Sequence, residues 1–257
     1  MLKYVANFAF AVLITVMPVR AADAPAIAAA SDLKFALPVM AKAFEAETGQ
    51  AVKLTFGSSG VFATQIANGA PFEVFMSADE ALVDDLAMRG FLRDGGQLYG
   101  LGALALFAPE GSATTCDAEL AGLKATLASG QSGKISIASP EHAPYGRAAQ
   151  AALTAAGAWQ DAQAHMLLGE NAAQALLFAT EGGAGAALIP APLVEAPEFS
   201  AKGCHIRISD RLAPPLRQRL AVVKSAGKAA IDFAAFITSD KGKAILAKYG
   251  FSFPSGP

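Results

Sequence analysis

Charge is scarce in this sequence. Asp, Glu, Lys and Arg make up 16% of its 257 residues, while 53% are hydrophobic. The balance of 20 basic and 22 acidic residues gives a formal net charge of −2. No basic cluster marks one face, so a nucleic-acid footprint is not expected. If the ligand is an anion, a general positive field does not capture it. Cysteines are few, Cys116 and Cys204, and so are histidines, His142, His165 and His205. These five do not fall at zinc-like spacing, so no metal site is expected. Beyond the first 21 residues, no segment reaches the roughly 18 uninterrupted apolar residues of a membrane span. No lysine follows Gly57-Ser58-Ser59-Gly60 as a Walker motif requires, and the spacing there is not Gly-x-Ser-x-Gly. No Ser-His-Asp order places a nucleophile beside a base. The reading is therefore against an enzyme, with a periplasmic hydrolase as the rival.

What is present begins with an export signal. Lys3 supplies a basic start, Val5 to Met17 is an almost unbroken apolar run, and Val19-Arg20-Ala21 offers small residues for cleavage. Cleavage is expected after Ala21, so that residues 1–21 form the signal peptide. The alternative is an uncleaved anchor helix. No cysteine follows the run, which argues against a lipid anchor. An exported chain meets an oxidising compartment, so Cys116 and Cys204 are expected to form a disulfide, the alternative being two free thiols.

A strand–helix rhythm follows. Ala26–Ala30 reads as a buried strand. Asp32 to Thr48 has helical spacing at Leu33, Leu37, Met40, Ala41 and Phe44, with a bend or late start expected at Pro38 and a stop at Gly49. Strands are expected at Ala51–Phe56 and Phe72–Met76, and helices at Val61–Asn68 and Asp79–Arg89. After a long apolar strand at Leu101–Phe107, further strands are expected at Lys134–Ala138, Ala186–Ile189 and Leu220–Val223. Helices are expected near Tyr145–Ala156, Ala172–Thr180, Ala229–Thr238 and Lys241–Tyr249. This pattern predicts an α/β protein of two lobes, each a mostly parallel sheet flanked by helices and joined by two hinge strands. Residues 22–100 and 220–257 are assigned to lobe I, and 101–219 to lobe II.

In open α/β sheets ligands sit beyond the carboxyl ends of the strands, where helix N-termini expose unpaired N–H groups. Four such junctions carry small polar residues. Ser31 follows the first strand and reads as a hydroxyl donor or as an ordinary N-cap. Gly57-Ser58-Ser59-Gly60 reads as a cradle with two hydroxyls or as a plain turn. Pro144 can start a helix and leave the N–H groups of Tyr145 and Gly146 free. Tyr145 reads equally as a surface aromatic, and His142 as a packed or exposed residue. Asn171 is a good N-cap that frees the N–H of Ala172, or a cap and nothing more.

Taken in order, these segments resemble the periplasmic molybdate-binding proteins of ABC uptake systems. The resemblance rests on Ala28-Ala29-Ala30-Ser31, Phe56-Gly57-Ser58-Ser59-Gly60, Gln65-Ile66, Gly69-Ala70-Pro71 and Val74-Phe75-Met76-Ser77-Ala78-Asp79. Pro140-Glu141-His142-Ala143-Pro144 and Lys248-Tyr249-Gly250-Phe251 extend it over the mature chain. It implies a hinged periplasmic binding protein, with no cofactor, whose ligand is molybdate or tungstate. Its partner is a membrane permease, it binds no nucleic acid, and it acts as a monomer. Ser31 and Ser59 would donate hydroxyls, Tyr145 and Ala172 backbone N–H groups, and Ser58 would shape the turn. No residue would ligate the metal directly. Sulfate or another oxyanion is the alternative ligand, and a ligand-sensing module the alternative role.

Two departures from the family pattern stand out. Pro190 occupies the region where many members carry a tyrosine hydroxyl, so Tyr145 is the candidate replacement. Asp32 stands beside Ser31, where a carboxylate would repel a dianion. It is expected to turn away from the cleft and act on the helix dipole.

Overall fold

The computed structural model describes residues 24–199 and 203–254. The expected signal segment, residues 1–21, lies outside the described residues. The strands are β1 (Ala26–Ala30), β2 (Lys53–Gly57), β3 (Val74–Ser77), β4 (Gln97–Gly102), β5 (Leu104–Pro109), β6 (Ile135–Ala138), β7 (Met166–Gly169), β8 (Ala186–Pro190), β9 (Gly203–Arg207) and β10 (Leu216–Val222). In the first half the helices are α1 (Ala36–Thr48), α2 (Ser59–Ala67), α3 (Glu80–Met88), α4 (Ala121–Ala128) and α5 (Pro144–Ala155). They continue as α6 (Trp159–Gln163), α7 (Ala172–Thr180), α8 (Ala191–Val194), α9 (Lys228–Thr238) and α10 (Asp240–Lys248).

The strands form two five-stranded sheets, ordered β2-β1-β3-β10-β4 and β7-β6-β8-β5-β9. In each, the first three strands are parallel, and the fourth is antiparallel to both its neighbours. Four strands of five therefore run one way. The reversed strand, β10 or β5, is in both cases the one that has just arrived from the other sheet. The chain passes over at Ala103, between β4 and β5, and returns through residues 208–215, between β9 and β10. The sequence-drawn boundaries at 100/101 and 219/220 fall inside β4 and β10. This is the α/β, two-lobed architecture expected from the strand–helix rhythm.

Local sequence explains the elements. In β1, Ile27 and Ala29 face one apolar cluster and Ala28 the other, as the two-residue strand period requires. The late start expected at Pro38 is what forms: a single 3-10 turn, Ser31–Leu33, precedes α1, and Pro38 falls in the first turn of that helix. Leu37, Met40 and Phe44 bury its inner stripe, and Gly49 ends it in the left-handed region at φ 70°. Phe44 meets Phe233 and Phe236 of α9 edge-on at 5.1 and 5.7 Å, which fastens the C-terminal helices to the first lobe.

Three strands went unforeseen. β9 is exposed along all five residues, so it carries no apolar alternation. β7 has only four residues, and β4 is divided from β5 by a single residue at the crossing. Cys116 and Cys204 form a disulfide, with Cα atoms 6.2 Å apart. It ties the exposed edge strand β9 to the segment between β5 and α4.

Candidate functional site

The carboxyl ends of the parallel strands in the two lobes face each other across a small, nearly filled cavity of about 10 Å³. Ser31, Ser58, Ser59, Tyr145 and Ala172 all line it, together with Asp32. No lysine or arginine is among the lining residues.

Ser31 begins the turn after β1 and is buried. It does not act as an ordinary N-cap. Its Oγ accepts from the N–H of Ala173, in the opposite lobe, at 3.3 Å. Ser59 is the first residue of α2 and is 1% exposed. Its Oγ accepts from the N–H of Ala78, just past β3, at 3.1 Å. Both hydroxyls thus use a lone pair on a main-chain donor, which leaves the O–H itself to donate elsewhere.

Ser58 occupies the N-cap of α2 but makes no cap bond. Its hydroxyl donates across the cleft to the carbonyl of His142. The N–H of Gly60 donates to the same oxygen at 2.9 Å. A Cβ on Gly60 would stand 2.4 Å from that carbonyl, so only glycine permits this approach. The Gly57–Gly60 turn is therefore both wall and latch. On the rim, Arg147 pairs with Asp79 of the other lobe at 2.6 Å. The lobes stand closed on each other.

In the second lobe Pro144 is the first residue of α5. Tyr145 and Gly146 follow in the first turn, where an N–H has no partner within the helix. Asn171 caps α7 by accepting from Ala173 and Gln174, at 3.0 and 3.2 Å. That leaves the N–H of Ala172, at the first helical position, for the cavity. The third junction is closed off. Pro190 precedes α8, and the N–H of Ala191 donates to Ala103 at 2.8 Å.

Tyr145 is not a surface aromatic; it is 3% exposed. Its hydroxyl does not lie free as a replacement for the family tyrosine. It accepts from Gln218 Nε2 at 2.9 Å and hydrogen bonds with Asp32. Gln218 also donates to Asp32 Oδ2 at 2.7 Å, and accepts from the hydroxyl of Tyr99. Gly102 makes room for this group: a Cβ there would lie 2.0 Å from the Tyr145 hydroxyl and 2.2 Å from Gln218 Nε2.

The expectation that Asp32 turns away from the cleft is corrected. Its carboxylate does rest against the backbone N–H groups of its own turn, but Asp32 is 2% exposed and lines the cavity. Gln218, delivered by the returning strand, provides a side-chain partner for the buried carboxylate. Burial raises its pKa to about 6, against the opposing effect of the hydrogen bonds from Gln218 and Tyr145. Burial and the Asp32 charge also push the Tyr99 and Tyr145 hydroxyls well above the ordinary phenol value. Gln218 leaves no signal in the sequence, since nothing in a polar residue within a strand announces a partner 186 positions away.

Two lobes that close on a small polar cavity at facing helix N-termini define a hinged binding protein. Residues 26–252 match the family of bacterial extracellular solute-binding proteins, and the chain belongs to it. Among characterised relatives, the molybdate-binding protein ModA of Rhodobacter capsulatus is 31% identical over 214 residues, covering 81% of this chain and 80% of the relative. ModA of Azotobacter vinelandii is 31% identical over 237 residues, covering 90% and 91%. The solved structure of the Azotobacter vinelandii periplasmic molybdate-binding protein superposes with a TM-score of 0.81 at 27% identity, covering 90% of this chain and all of that one.

Proposed function

We propose that this protein captures molybdate, and equally tungstate, in the periplasm and delivers it to the membrane permease of an ABC importer. The reading is supported by the relatives' molybdate binding and, above all, by one observation. Ser31 and Ser59 each accept from a main-chain N–H, so their hydroxyl protons are left for a guest in the cavity between them. The N–H groups of Tyr145 and Ala172 complete the donor set. Neutral donors replace the water shell of a dianion without a countercharge, and hydrogen bonds to an ionised acceptor are shorter and stronger than neutral ones.

Such a site selects by size and protonation. Molybdate and tungstate share a charge and nearly a radius, so one cavity serves both. Sulfate is smaller, and phosphate carries a proton to which the N–H and O–H donors offer nothing, so that it would have to compete for the buried Asp32 carboxylate. Calorimetry on the mature protein with molybdate, tungstate, sulfate and phosphate tests this. The first two are expected to bind at least ~100-fold more tightly than the others, a difference of about 2.7 kcal/mol. Preferential sulfate binding would overturn the assignment.

A further inference from the structure

We propose that Asp32 takes up one proton from solvent when the lobes close on the oxyanion, acting as a positioning residue that ties closure to acidity. The inference rests on the oxyanion reading and deepens it. It starts from the hydrogen-bond inventory of the buried group. Tyr99 donates to Gln218 Oε1, which fixes the amide orientation. The amide nitrogen then donates both to Asp32 Oδ2 and to the Tyr145 hydroxyl. One atom is left over. Among the described residues Asp32 Oδ1 is buried and makes no well-formed hydrogen bond, the contacts of the carboxylate with Tyr145 and with the N–H groups of its own turn being looser. A buried carboxylate oxygen so poorly satisfied is costly while ionised, and protonation removes the charge that makes it so.

Among the described residues, no positive charge pairs with Asp32. β4 presents Tyr99, β10 presents Gln218, and α5 presents Tyr145. α7, α8 and the Gly57 end of β2 also pack on the Ser31–Leu33 turn, with Lys53 at the far end of β2. They offer only uncharged residues there; Glu195, just beyond α8, pairs with Arg207. Lys34, on the same turn, points to solvent. An anionic guest in the adjoining cavity would add negative charge nearby, which again favours the protonated acid.

The network also spans the moving parts. Asp32, Gln218 and Tyr99 belong to the first lobe, and Tyr145 to the second. Parting the lobes withdraws Tyr145 and admits water, returning Asp32 towards its ordinary acidity near 3.8 from about 6. The sign follows. A group whose acid form is favoured in the closed state helps closure at low pH, and that help is lost as pH rises through about 6.

The test is calorimetry of micromolar molybdate binding to the mature protein, in buffers of different ionisation enthalpy. Near pH 5, about 0.8 proton should enter per anion bound, and affinity should exceed that near pH 8 by about tenfold. Asp32→Asn should abolish both the uptake and the pH slope. Infrared difference spectra of the unaltered protein should gain a protonated carboxyl band on molybdate addition, which needs no variant to fold. Binding without proton uptake, or an unchanged slope in Asp32→Asn, overturns this inference alone. No binding at either pH overturns the oxyanion reading and this inference with it.

Discussion

In the first lobe the parallel strands β1 and β2 run into Ser31 and Ser59, whose hydroxyls enter the cavity. In the second, the equivalent strands β6 and β7 run into Pro144-Tyr145 and Asn171-Ala172, which bring no free hydroxyl and offer main-chain N–H groups instead. The sheets have the same order and the same reversed fourth strand. The difference therefore lies in the atoms at the junctions, not in the framework. Side-chain donors can be deleted by a single substitution, but backbone donors survive nearly any replacement. The lobes also differ in how they are held. The first gathers its C-terminal helices around Phe44, whereas the second fastens its exposed edge strand β9 with a disulfide.

That last contrast yields the largest expected effect. Replacing Cys116 and Cys204 together by serine removes a cross-link between positions 88 apart. A loop of that length is worth about 4–5 kcal/mol in the chain-entropy model, and measured losses are commonly about 2–4. We expect urea unfolding to show a loss of about 3 kcal/mol, with molybdate affinity within about twofold of the parent. If stability barely changes, β9 needs no staple and the contrast between the lobes disappears.

The parts of this design that are local were legible in the sequence. Gly49 and Pro144 punctuate helices by their backbone chemistry and Asn171 by its side-chain cap, and α7 begins and ends where its apolar spacing does. Ser31, Ser59, Tyr145 and Ala172 were singled out because they sit where a strand gives way to a helix, and all four line one cavity. What stayed hidden depends on partners far along the chain. The carbonyl of His142 that receives Ser58, the Asp79–Arg147 pair and the Gln218 amide beneath Asp32 are all products of lobe closure or chain return. A periodic pattern carries no trace of them.

Backbone donation in the second lobe can be broken by Ala172→Pro. Residue 172 is the first of its helix, where proline is well tolerated, and Asn171 is already extended at φ −147° and ψ 175°, as a residue before proline prefers. The substitution deletes one N–H and sets a ring carbon in its place, while the Asn171 cap on Ala173 and Gln174 persists. Molybdate affinity should fall about 100-fold, or roughly 2.7 kcal/mol, with the thermal midpoint of the free protein unchanged. Unaltered affinity would mean that the second lobe contributes shape and not donors.

The smallest effects separate the two hydroxyls of the first lobe. Ser59→Ala removes a donor to the guest and also strips the Ala78 N–H of its acceptor at 3.1 Å. Ser31→Ala removes an equivalent donor, but the Ala173 N–H retains Asn171 Oδ1 at 3.0 Å. A hydrogen bond to a charged group is worth about 1.5–3 kcal/mol, and an orphaned buried donor costs about 1–3 more, so the two variants should differ. Ser59→Ala is expected to lose about 30-fold in molybdate affinity together with about 1 kcal/mol of stability, and Ser31→Ala about tenfold with stability intact. Calorimetry paired with urea unfolding reads both quantities. Equal stability losses would show that the Asn171 cap does not take over from Ser31. An undiminished affinity in either variant would show that the freed hydroxyl proton does not reach the guest, and the donor asymmetry between the lobes would then need to be redrawn around main-chain groups on both sides.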